Sequence, residues 1–67
     1  MQLTLPLSRG TPWLIGHRAG AWERVREVLL REYAWVDVFR VRKGQEVCLE
    51  RADAAEIEAA GGVLEWR

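Results

Sequence analysis

Leu3, Leu5 and Leu7 alternate with Gln2, Thr4 and Pro6, the period-2 pattern of a strand with one buried face. Pro6 has no N–H to give to a ladder, so this strand is expected at a sheet edge. Residues 8–12 carry turn formers, and Trp13, Leu14 and Ile15 make a second short extended run before Gly16. From Gly20 the period changes. Trp22, Val25, Leu29 and Tyr33 recur at helical spacing with Ala21 and Val28 beside them, while Glu23, Arg24, Glu27 and Arg31 fall on the opposite side. This predicts an amphipathic helix of about four turns, with Glu27 one turn ahead of Arg31 in the favourable order for a surface pair.

Residues 35–42 are dense in β-formers, and after Lys43, Gly44 and Gln45 a shorter alternating run covers 46–50. The two runs predict a hairpin. An odd loop ending on a left-handed Gly44 gathers Phe39, Val41, Val47 and Leu49 on one face, which an even loop would split. The opposite face then carries Val36, Val38, Arg40, Glu46, Cys48 and Glu50. Asp53 with Glu56 is a capping pattern and Gly61-Gly62 a left-handed stop, so residues 54–60 are expected as a two-turn helix with Ile57 inward. Residues 63–66 form a last strand.

Strand, strand, helix, strand, strand, helix, strand is an α+β order. It predicts a small two-layer split βαβ fold, ferredoxin-like βαββαβ with an extra N-terminal edge strand, in a single domain over residues 1–67. The segment order and the stretch 20–41, with Gly20 at the head of the helix, resemble the small regulatory domains of the ACT type; the Pro usual before that glycine is Ala19 here. The resemblance spans about residues 13–66 and implies an amino-acid-binding regulatory module assembled at a subunit interface.

With 67 residues, 49% hydrophobic and 30% charged, the chain is expected to fold as one soluble globule whose small core gains from a partner subunit. One cysteine makes no internal disulfide. Ten Lys+Arg balance ten Asp+Glu, so no global field draws the chain to nucleic acid or an anionic membrane, and charge-driven binding must be local. No apolar run reaches the ~18 residues of a membrane span, and residues 1–7 lack the pattern of a signal peptide, so a cytoplasmic location is expected. Nine of the ten cations are Arg and Asn is absent, a bias that fits a thermophilic source and equally a GC-rich genome.

Little in the sequence converges on chemistry. His17 and Cys48 are the only residues of their kinds, so a metal site would lean on carboxylates without supporting ligand spacing, and a Cys48–His17 nucleophile pair needs the fold to bring them together. The glycines make no phosphate-cradling motif. Asp37 sits among apolar residues and is expected to pair with an Arg such as Arg51. The expectation is therefore a chain with no catalytic residue, cofactor or metal, acting through self-association or protein contacts, most simply as a homodimer. Four Trp exceed what so small a core can hide, and Val36, Val38 and Cys48 on the outer sheet face, with Trp66 near the chain end, are the expected interface. The runners-up are the ACT-like small-molecule module and a nucleic-acid binder using Arg40, Arg42 and Lys43 at the hairpin tip.

Overall fold

The computed structural model describes residues 10–67. The expected Leu-rich edge strand around Leu3, Leu5 and Leu7 lies outside the described residues. Six elements follow: β1 (Pro12–His17), α1 (Trp22–Glu32), α2 (Trp35–Arg42), β2 (Val47–Cys48), α3 (Arg51–Ala59) and β3 (Gly62–Trp66). The strands form one antiparallel sheet in the order β2-β1-β3. Leu14 of β1 stands between Val47 and Leu64, and those three face the helices; Trp13, between Cys48 and Glu65, points to the other side. Pro12 is tolerated in the central strand because it is the first residue, and its carbonyl still accepts the Leu49 N–H at 2.9 Å. Between Leu14 and Gly16 the register against β3 shifts, leaving Ile15 as an extra residue in a bulge.

The fold is a small α+β protein with three antiparallel strands and three helices among the described residues. It is not the expected four-stranded βαββαβ, and its strand order does not match that topology. The difference arises at one place: residues 35–42, expected as a strand, are helix α2. Local β-propensity is overridden by packing, because Val38 and Val41, three apart, drop one helical face into the core at 2% exposure each. The helix ends also suit it. Asp37 lies in the first turn and Arg40 and Arg42 in the last, as the helix dipole favours. Gly44, at φ +81°, ends the helix in a double-bonded αL turn: Gln45 N–H donates to Arg40 C=O at 2.8 Å and Gly44 N–H to Val41 C=O at 3.0 Å. The left-handed Gly44 of the sequence is therefore real but closes a helix, not a hairpin. Phe39 accordingly leaves the shared face: Val41, Val47 and Leu49 are buried, while Phe39 points to solvent. Without the four-stranded order, the topological ground of the likeness to ACT domains is gone as well.

Other elements fall near where the pattern put them, with different bounds: α1 ends at Glu32, a turn short of the expected four, and the strand expected over 46–50 is the two-residue β2, paired with β1. α1 buries Val25, Val28 and Leu29, with Ala21 at its head. Arg31, however, reaches across to Glu56 of α3 at 2.8 Å instead of pairing with Glu27. α3 starts earlier than expected, at Arg51, and buries Ala54 and Ile57. It stops at Gly61, φ +112°, whose missing side chain lets it lie against Ala21. A single cluster joins Leu14 and Val47 of the sheet to residues of all three helices, including Val25, Val38 and Ile57.

Candidate interaction surface

α2 packs with Val38 and Val41 and turns its remaining apolar residues outward. Trp35 and Phe39 are one turn apart and Val36 lies beside them, at 66%, 55% and 55% exposure. No other large apolar side chains among the described residues are as exposed; Val63 at 40% and Ile15 at 37% follow, on the sheet. A further turn along the same face, Lys43 holds its Nζ 4.9 Å from the Phe39 ring centroid, a cation–π contact. Arg40 and Arg42 are exposed on the flanks and form no ion pair within 4 Å among the described residues. The outer face of α2 is thus aromatic at its N-terminal end and cationic at its C-terminal end.

The open face of the sheet is built differently. The Arg67 guanidinium lies 5.1 Å over the Trp13 ring and bridges Glu46, at 2.8 Å, and Glu65. The hydrogen bond from Arg67 holds the Glu46 carboxyl below its ordinary pKa, and the two carboxylates hold Arg67 firmly charged. A partner seated over Trp13 would have to dehydrate this bridged cluster.

The residues singled out in the sequence do not share one site. Val36 is on the outer face of α2, Val38 is core, Cys48 is exposed on β2 beside Trp13, and Trp66 is half-buried on β3 opposite Pro12. Val38 thus has no surface to give to a partner. Arg40, Arg42 and Lys43 lie at the end of a helix and not at a hairpin tip, with Arg40 and Arg42 on different flanks of it. Asp37 makes no ion pair with Arg51 and serves the first turn of α2. His17 and Cys48 are held apart: Cys48 pairs with Trp13, four residues along β1 from His17, a span on the order of 12 Å. His17 instead packs on Trp22, ring centroids 5.2 Å apart. Among the described residues, no three His, Cys, Asp or Glu side chains converge as a metal cluster would require, and no helix is long and apolar enough to cross a membrane.

One polar cluster was hidden from the sequence. The Tyr33 hydroxyl accepts the Glu50 N–H at 2.8 Å and donates to the Asp53 carboxylate at 2.9 Å. Glu50 is the N-cap residue of α3 and Asp53 its third helical residue, so Tyr33 sits between the two groups that a capping box would join directly. Burial pushes the Tyr33 hydroxyl up to about 12; the backbone hydrogen bond from Glu50 opposes this, and the bond to Asp53 and its charge add to it. The cluster is structural: it fixes the end of α1 to the start of α3.

No family model, curated protein or solved structure matches this chain.

Proposed function

We propose that this chain is a non-enzymatic interaction protein that works as a homodimer, with the outer face of α2 as its contact surface. The observation that carries the reading is the exposure of Trp35, Val36 and Phe39 together on one helical face. These side chains leave roughly 300 Å² of apolar surface in water per chain, within the range of the largest patch on an ordinary monomer, which is often a functional one. Burying two such patches is worth about 15 kcal/mol gross at ~25 cal/mol/Å². Lost translational and rotational freedom costs roughly 4–15 kcal/mol and side-chain ordering adds to that, so at most about 11 kcal/mol remains; a surplus in the middle of that range, about 6–8 kcal/mol, corresponds to a dimer in the micromolar range. The separation of His17 from Cys48 removes the one nucleophile pair that the sequence offered. Light scattering over a concentration series tests the proposal, with the dimer expected by ~100 μM; a mass that stays monomeric there overturns it.

A second reading has its own observation. Arg40, Arg42 and Lys43 stand free of carboxylate partners among the described residues, beside the aromatic Trp35 and Phe39, which is the composition of a single-stranded nucleic-acid surface. Salt-dependent binding to a fluorescent oligonucleotide, lost in Arg42→Glu, would favour it over the dimer.

A further inference from the structure

We infer that two copies meet through α2 packed antiparallel against α2 of the partner, with the two-fold axis at Phe39 and the partner's Arg42 stacked on Trp35. The inference rests on the self-association reading and specifies its geometry. The outer sheet face is the competing surface, and there Arg67 is already bound to Glu46, Glu65 and the Trp13 ring. The α2 face has no such network to dehydrate.

The arrangement follows from the gradient along the helix. At about 100° per residue, Phe39 lies between two flanks of the exposed surface: Val36 and Lys43 on the side opposite the buried Val38 and Val41, and Trp35 and Arg42 on the side nearer to them. A parallel pairing would set Arg42 against Arg42 and Lys43 against Lys43, four uncompensated cations in a small contact. An antiparallel two-fold pairing keeps each flank beside the same flank of the partner but reverses its direction. With Phe39 on the axis, residues symmetric about position 39 face each other, so Val36 is level with the partner's Arg42 and Trp35 with the partner's Lys43. The flanks refine this: Trp35 and the partner's Arg42 share one side within about one residue's rise, whereas Val36 and the stem of the partner's Lys43 share the other. Lys43 is already engaged with its own Phe39 ring; Arg40 and Arg42 both carry free guanidinium groups, but about 100° per residue puts only Arg42 on the flank of Trp35, and guanidinium on indole is the preferred cation–π pair. A second copy therefore supplies both what the aromatic end lacks and what the cationic end lacks.

The test is the dimer dissociation constant, by light scattering or sedimentation, in four proteins. All substitutions fall on exposed positions, and circular dichroism checks that each variant folds. The wild type dimerises. Phe39→Glu, which puts like charges on the axis, weakens the dimer about 30-fold or more, as loss of a central contact does. Trp35→Lys sets a cation against the partner's Arg42 and weakens it at least about tenfold, and Trp35→Lys with Arg42→Glu recovers most of that loss. If the wild type dimerises but Phe39→Glu leaves it unchanged, another face is used and the geometry is wrong while self-association stands. If the double variant is no tighter than Trp35→Lys, the helices do not pair antiparallel in this register. A monomeric wild type at ~100 μM removes the reading beneath the inference.

Discussion

Replacing Tyr33 by Phe removes one oxygen and nothing else. That oxygen accepts the Glu50 N–H at 2.8 Å and donates to Asp53 at 2.9 Å, so two groups at the head of α3 lose their partner together. The bond to a carboxylate belongs to the stronger class, worth roughly 1.5–3 kcal/mol where well buried, and the bond from the amide is worth roughly 1. The site is part-buried and Glu50 is exposed, so water replaces some of both, and Asp53 can swing back to the Glu50 N–H as in an ordinary capping box. The expected net loss is about 1–2 kcal/mol, a drop in Tm of roughly 4–8 °C for each kcal/mol in a domain of this size. Urea titration should show a lower midpoint with unchanged slope. The sign with pH follows from the raised hydroxyl. An unfolded Tyr loses its proton near 10 and this one near 12, so the folded state holds the proton longer. The hydroxyl's contribution is complete below about 10 and falls away as pH rises towards 12. The Tyr33→Phe curve should therefore converge on the wild type above pH 10. A loss under about 0.3 kcal/mol, or additivity of Tyr33→Phe with Asp53→Ala in a double-mutant cycle, would refute the bridging role.

Gly44 has left-handed backbone but open space where a Cβ would stand, so Gly44→Ala should cost only the conformational term, about 1 kcal/mol by thermal melting. Gly61→Ala should cost clearly more, because its Cβ would collide with that of Ala21; equal losses would show that the contact with Ala21 yields easily. Val38→Ala should destabilise by about 2 kcal/mol and Val38→Glu should unfold the chain, whereas Val36→Glu, on the exposed side of the same helix, should leave the melting curve of dilute protein nearly unchanged. Arg67→Ala should return the Glu46 carboxyl to its ordinary pKa in an NMR titration; in the wild type the stabilisation from this bond is present above the ordinary value and lost as pH falls through the lowered one.

Much of this fold was written in local spacing. Val25 and Leu29 announce α1, the alternation through Trp13 to Ile15 announces β1, and Gly61-Gly62 marks the end of α3. Residues 35–42 were misread because Trp, Val and Phe favour strands one by one, while the spacing of Val38 and Val41 fits a helix as well as an alternation fits a strand. Only burial against α1 and the sheet decides between them, and burial is a property of the whole chain. The consequence is large, since a strand puts Phe39 in the core and Val38 on the outer face, whereas the helix exposes Phe39 and buries Val38. The helical spacing puts Tyr33 on the apolar face of α1, whereas it is the extended residue that ends the helix; its bridging hydroxyl is not legible locally, because Glu50 and Asp53 are distant in sequence. Arg40 and Arg42 share one face if the segment is a strand, but on the last turn of a helix they point to different flanks, so the period of the segment also decides where the cations go.

The central position of β1 sets an order of events for the chain as it folds. Trp13 pairs with Cys48 on one side and Glu65 on the other, so both ladders close loops that take in most of the molecule. The helices can flicker into existence from local contacts within microseconds, but the first strand has nothing to pair with until the chain has doubled back twice. The rate-limiting search is therefore for the sheet, and β1 is either held by both neighbours or by neither for long. The Thr11–Arg67 and Leu49–Pro12 bonds set the alternation of the two ladders, which turns the amides of Leu14 and Glu65 inward. These should exchange with solvent only through opening of the whole unit, at a common rate, while those in the last turn of α2 exchange much faster through local fraying.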